Sequence, residues 1–156
     1  MNETLKKKAA KLLPRYPSKR ACLLPLLEET QKARGWISAE SIKDIAELLD
    51  VPEIEVKSTA SFYTMLSRSP GGKYHLQICR NISCKMAQSE KIIEAVKNKL
   101  QIKENETTED GLFSLTLVEC LGACGNAPVV RINETYYENV SPEKVLKIID
   151  DLKNKK

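Results

Sequence analysis

Histidine occurs once in this 156-residue chain, tryptophan once and phenylalanine twice. A lone His75 excludes any site built on paired imidazoles, a Rieske-type centre among them. Away from His75 there is no Cys–His couple for nucleophilic catalysis. On an alternating strand His75 reads as a packed or surface residue. Long apolar runs are also missing. Ala21–Leu27 is the longest and Pro25 interrupts it, whereas a membrane helix needs roughly 20 such residues. The opening MNETLKKKAAKLLPRYP has lysines but no apolar core, so no secretory signal is expected. The triplets Asn81-Ile-Ser83 and Asn133-Glu-Thr135 are then read as chance matches to the glycosylation pattern. No G-x-G-x-x-G follows a strand and no Walker loop is present; Pro70-Gly71-Gly72 precedes a strand rather than a helix. No flavin, nicotinamide or nucleotide site is therefore expected on this chain. Charge of one sign is scarce too. The net charge is +4, with 12 basic against 9 acidic residues up to position 70 and 13 against 12 beyond it. That spread is too even for a nucleic-acid footprint. The lysines at Lys6–Lys8 and Lys153–Lys156 read as solvated tails.

What remains is an ordinary apolar and charged composition, 42% and 29%, sufficient for a protein that buries a core. Residues 1–70 read as helical throughout. Leu5, Ala9, Leu12 and Leu13 recur at helical spacing before Pro14 and Pro17. A second helix is predicted over Lys19–Arg34, with Pro25 as a kink or late first turn and Gly35 as its stop. Ser38 suits an N-cap, and Ile42, Ile45, Ala46, Leu48 and Leu49 mark the helix after it. Pro52 near N1 opens a fourth helix, predicted to reach about Met65. Cys22 sits inside an apolar helical pattern and reads as a small buried side chain. This is a helical bundle with no catalytic grouping.

Pro70-Gly71-Gly72 is the strongest break in the chain and sets the expected domain boundary, 1–70 against 71–156. Lys73–Cys79 alternates as a half-buried strand. Met86, Ile92, Ile93, Val96 and Leu100 predict a helix over Lys85–Leu100, and Ile102–Gly111 reads as a polar loop. Leu112–Glu119 is a second strand; Val129–Ile132 and Thr135–Glu138 form a hairpin. Ser141-Pro142 caps a last helix striped by Val145, Ile148, Ile149 and Leu152. The order β-α-β-β-β-α predicts an α/β domain with a βαβ unit, a hairpin and a covering helix.

Four cysteines organise this half: Cys79-Arg-Asn-Ile-Ser-Cys84 and Cys120-Leu-Gly-Ala-Cys124, held apart by 35 residues. In a reducing compartment such pairs favour metal over disulfides. Each pair lies just past the C-terminal end of a predicted strand. If the two strands are parallel neighbours, the four thiols emerge at one sheet edge. A 2Fe–2S cluster, with two ligands per iron, suits the wide x4 and x3 loops better than a zinc knuckle. The small residues Gly122, Ala123, Gly125 and Ala127 let backbone N–H groups approach sulfur, or simply give the turn freedom. From spacing alone the cluster ranks first, a structural zinc second and redox thiols third; no C-x-x-C supports thiol exchange. Tyr136 and Tyr137 read as packing and surface residues.

Cys79-x4-Cys84, Glu119-Cys-Leu-Gly-Ala-Cys124 and Ala127-Pro128-Val129 together resemble the thioredoxin-like 2Fe–2S ferredoxin family. The likeness extends to Tyr16-Pro17, Leu23-Leu24-Pro25-Leu26-Leu27, Gly35-Trp36-Ile37-Ser38, Ser61-Phe62-Tyr63-Thr64-Met65, Gly72-Lys73 and Thr107-Thr-Glu-Asp-Gly111. Within the family it is similar to the small cluster-bearing subunits of respiratory NADH–quinone oxidoreductases (complex I). The resemblance implies a helical bundle joined to a thioredoxin-like domain, with one 2Fe–2S cluster on Cys79, Cys84, Cys120 and Cys124. It implies docking on a larger flavin- and NADH-binding subunit among other peripheral-arm subunits, with FMN and NADH held there. The chain would be an electron-transfer subunit on the cytoplasmic face of the membrane, without a catalytic site of its own, nucleic acid or direct membrane contact. The alternatives are the equivalent subunit of an NAD(P)-linked hydrogenase or formate dehydrogenase, and a zinc-stabilised interaction module. One departure stands out: the family often has glycine where this chain has Gln88, a position expected in the first turn of the helix after the cysteine loop.

Overall fold

A computed structural model describes residues 3–155, so the last lysine of the expected C-terminal tail, Lys156, lies outside the described residues. The chain divides into two compact units, 1–70 and 71–156. The first contains α1 (Glu3–Leu12), α2 (Leu23–Arg34), α3 (Ala39–Leu49) and α4 (Glu53–Phe62), with short 3-10 turns at Leu13–Arg15 and Arg20–Cys22. Leu26, Leu27, Ile37, Ile45 and Val56 are sealed at its centre. Cys22 belongs to that core, fully buried, and burial raises its thiol pKa above the ordinary value.

Local chemistry explains the boundaries. The helix expected over Lys19–Arg34 begins as a 3-10 turn and becomes α-helical at Leu23. Pro25 falls in the first turn, where its missing N–H would have had no intrahelical partner. Gly35 ends α2 at φ 82°, a left-handed conformation that costs a residue without Cβ nothing. The Ser38 hydroxyl accepts the Ser41 N–H and caps α3. Pro52 is the N-cap of α4 rather than its first residue, and α4 stops at Phe62, short of Met65.

The second unit is a four-stranded sheet in the order β2-β1-β3-β4. It is built from β1 (Tyr74–Cys79), β2 (Phe113–Val118), β3 (Val130–Ile132) and β4 (Thr135–Tyr137). β1 and β2 are parallel, in register from Tyr74↔Phe113 to Cys79↔Val118. β3 is antiparallel to both β1 and β4. The crossover from β1 to β2 contains α5 (Ile82–Met86) and α6 (Ser89–Leu100); α7 (Pro142–Lys153) closes the chain. Leu76, Ile78, Phe113, Leu115, Val130 and Ile132 pack with Ile92 and Val96 of α6 and Val145 and Ile149 of α7. Ser141 caps α7, accepting the Lys144 N–H, with Pro142 at its start. At Gly72 a Cβ would come within 2.5 Å of the Phe113 carbonyl carbon and 2.7 Å of the Ser114 nitrogen. Only glycine lets the chain pass that close to β2.

Two further features of the second unit differ from expectation. The helix expected over Lys85–Leu100 is two helices, broken at Gln88, which takes φ 67°. Gln88 is thus the left-handed junction before α6, not part of a first helical turn. The polar stretch after α6 is also more ordered than a loop. Asn105 N–H donates to the Leu115 carbonyl at 2.7 Å, Leu115 N–H to Glu106 at 3.1 Å and Thr108 N–H to Phe113 at 2.8 Å. This segment zips antiparallel along the outer edge of β2.

Candidate metal centre

Parallel pairing of β1 and β2 has a direct geometric result: both strands end at the same sheet edge. β1 ends on Cys79, paired with Val118; Glu119 and Cys120 follow at once. Cys79 N–H donates to the Val129 carbonyl at 3.2 Å, and Arg80 N–H to the Val118 carbonyl at 3.0 Å. The strand end carrying Cys79 is thereby fixed on both sides. The Asn81 side chain caps α5 through the Ile82 N–H at 2.7 Å, and one turn of that helix delivers Cys84.

Cys79 and Cys84 are buried, each 2% exposed, whereas Cys120 and Cys124 are exposed. The buried pair packs with Val129 beneath a jacket of Val118, Leu121, Ala123 and Ala127. The Cys79 thiol points to the Glu119 carbonyl at 3.8 Å. In the second loop Gly122, at φ 75°, donates its N–H to the Cys120 sulfur at 3.2 Å. Asn126 N–H donates to the Ala123 carbonyl, the Asn126 carbonyl accepts the Asn139 N–H, and Val140 N–H donates to the Pro128 carbonyl. These bonds tie the loop to the segment leading into α7.

Burial dominates the electrostatics of the inner pair. The Cys84 thiol is pushed up to about 11, first by burial, then by its hydrogen bond with Cys79 and by the charges of Cys79 and Cys124, while the Val129 N–H pulls the other way. A thiolate here is costly because other thiolates crowd it in an apolar jacket. Iron held by these thiols would offset that cost, and loading would release their protons. Among the described residues no group of three His, Cys, Asp or Glu side chains is already gathered around one point. A two-iron cluster takes two thiolates per iron and spans a wider gap than a tetrahedral zinc. In type and number, four free thiols in two pairs at the ends of parallel strands, the donor set fits a 2Fe–2S cluster. His75 stands apart from this edge: its Nε2 lies 2.9 Å from the Thr116 hydroxyl. Tyr136 is exposed beside Arg131, and Tyr137 packs against the core.

The sequence profile of the family described as "Thioredoxin-like [2Fe-2S] ferredoxin" matches residues 9–153. The chain belongs to that family. A 2Fe–2S cluster is accordingly its cofactor. Among similar proteins, a subunit of the NADH-quinone oxidoreductase of Rickettsia bellii is 44% identical over 149 residues, 94% of this chain and 89% of that one. A subunit of the NADH-quinone oxidoreductase of Thermus thermophilus is 42% identical over 142 residues, 89% of this chain and 78% of that one. In fold, the chain is similar to an NAD+-reducing [NiFe]-hydrogenase in the H2-reduced state. The TM-score is 0.76 at 20% identity over 85% of this chain, which spans only 22% of the hydrogenase chain. Sequence reasoning quoted Glu119 only as part of a motif and missed its partners Arg80 and Glu104, which join it across the edge carrying the cysteines: Arg80 Nε donates to the Glu119 carboxylate at 2.9 Å, and Glu104 lies 3.7 Å from the same guanidinium. Their signal was present only as a basic residue after Cys79 and an acidic residue before Cys120.

Proposed function

We propose that this chain is the electron-transfer subunit of a NADH–quinone oxidoreductase, with its 2Fe–2S cluster held by Cys79, Cys84, Cys120 and Cys124. When bound, the cluster accepts and returns one electron at a time, exchanged in this reading with the flavin of a larger NADH-binding partner subunit. The chain's own residues do the holding. Cys79 and Cys84 supply thiolates from a dry, strand-anchored pocket, and Cys120 and Cys124 supply theirs from the exposed loop. Gly122 and Val129 direct N–H groups at sulfur, a kind of bond that tunes cluster potentials. The reading is supported by parallel β1 and β2 ending together, at Cys79 and just before Cys120, in a chain 44% identical to a NADH-quinone oxidoreductase subunit over 94% of its length. The hydrogenase likeness is one of fold, at 20% identity, and gives the hydrogenase alternative no comparable support. In this reading the chain works on the cytoplasmic side of the membrane through the assembled complex; no described helix is long and apolar enough to cross a membrane.

The test is iron and acid-labile sulfide analysis of anaerobically purified protein, with absorption and EPR spectra before and after dithionite. Two irons and two sulfides per chain are expected. Serine at Cys79, Cys84, Cys120 or Cys124 should abolish or strongly weaken the visible spectrum, and Cys22→Ser should leave it intact. Stoichiometric zinc without sulfide, or an unchanged spectrum in Cys120→Ser, would overturn the assignment.

A further inference from the structure

The two cysteine-bearing strand ends are joined by charge as well as by backbone. Arg80 directly follows Cys79, and Glu119 directly precedes Cys120. Arg80 reaches across with Nε at 2.9 Å and a terminal nitrogen at 2.5 Å from one Glu119 oxygen. The other terminal nitrogen lies 3.7 Å from Glu104. Glu104 is within reach because the segment after α6 runs back along β2, through the Asn105–Leu115 and Glu106–Leu115 bonds. One guanidinium thus ties together the ends of β1 and β2 and the segment covering β2. Each paired side chain remains partly open to water, 46% for Arg80, 73% for Glu119 and 34% for Glu104. Solvent keeps the contribution of such exposed pairs small, but a charge-assisted bond with two donors on one carboxylate fixes orientation better than a single contact.

We propose that Arg80 and Glu119 are positioning residues that latch the two cysteine loops together, and that their opposed charges bias the bound cluster's potential in opposite directions. This rests on the assignment of the four cysteines as ligands. Adding an electron makes the site more negative, so a nearby guanidinium favours the reduced form and a nearby carboxylate disfavours it. With the pair intact the two effects largely offset. Arg80→Gln leaves Glu104 and Glu119 without their cation and lowers the midpoint. Glu119→Gln releases Arg80 and raises it. The double variant returns towards the wild type.

The test uses the full chain in two states. In cluster-loaded protein, a redox titration followed by absorption is expected to show each single variant changing the reduced-to-oxidised ratio at fixed potential by about two- to threefold, in opposite senses. That is about 20–30 mV at 59 mV per tenfold for one electron. In cluster-free protein carrying Cys22→Ser, so that the slow thiols are Cys79 and Cys84 alone, a chromogenic disulfide reagent reports loop opening. Both single variants should speed the slow phase by about 1.5- to 5-fold, the range of an exposed ion pair. The double variant should go no further, because the two side chains act as one unit. Midpoints that shift in the same sense or stay put, or a slow phase unaltered by both variants, overturn the latch. A wild-type chain that takes up neither iron nor sulfide instead overturns the ligand assignment, and the thiol kinetics still judge whether the loops are latched.

Discussion

Gln88 shows how one residue can hold a junction between two helices at a local cost. At φ 67° it sits where a side chain is disfavoured by on the order of 1 kcal/mol and glycine is not. The α5–α6 junction thus has a backbone that favours glycine, which this chain meets with glutamine under strain. Gln88→Gly is expected to stabilise the protein by about 0.5–1 kcal/mol, less the entropy a glycine adds to the unfolded chain. Urea unfolding measures it directly, and a lowered midpoint would contradict the strain. Next to it, the Ser89 hydroxyl is buried without a hydrogen-bond partner. The site thus rests on a junction that is not optimised for stability, a common trait of functional segments.

At the scale of elements, the strands, the caps at Ser38 and Ser141 and the stop at Gly35 were legible because each has a local cause. Alternation marks a half-buried strand, a hydroxyl marks a helix start, and a missing Cβ marks a left-handed end. The break at Gln88 was not legible. The apolar series from Met86 to Leu100 keeps helical spacing across it, and glutamine is no helix breaker; yet Met86 is 81% exposed and belongs to a different helix. The pairing of Asn105–Thr108 with β2 was hidden for another reason, since it depends on a tertiary neighbour and leaves no alternation in a polar segment. The placement of Cys79 and Cys120 at one sheet edge followed from the strand ends, but the Arg80–Glu119 contact spans 39 positions and requires the parallel register to be known. The sheet itself makes a pH prediction. His75 on β1 meets Thr116 on β2, and burial, then the Arg131 charge from β3, lowers its pKa below 6.5. The unfolded chain therefore binds the proton more readily. The associated stability is complete above pH 6.5 and declines as pH falls through the lower folded value. Denaturation at about pH 7.5 and about pH 5.5 should show a smaller loss for His75→Gln than for the wild type. Equal losses would mean that His75 does not titrate as its surroundings dictate.

For the whole molecule, the decisive fact is that each unit has its own hydrophobic core and that all four candidate ligands lie in the second. Residues 71–156 expressed alone are expected to unfold cooperatively and to show the same visible spectrum as the full chain. A fragment that folds but holds no iron would show that the first unit contributes to the site. The segment zipped along β2 has a further consequence, for association. An uncovered strand is a template on which another chain can add a strand of its own. β2 is shielded by its neighbour, and β1 and β3 lie inside the sheet. Among the described residues the terminal strand left is β4, three residues long. So small a template offers little to an intruding backbone, which guards the protein against runaway sheet growth and leaves recognition of its proper companions to side chains.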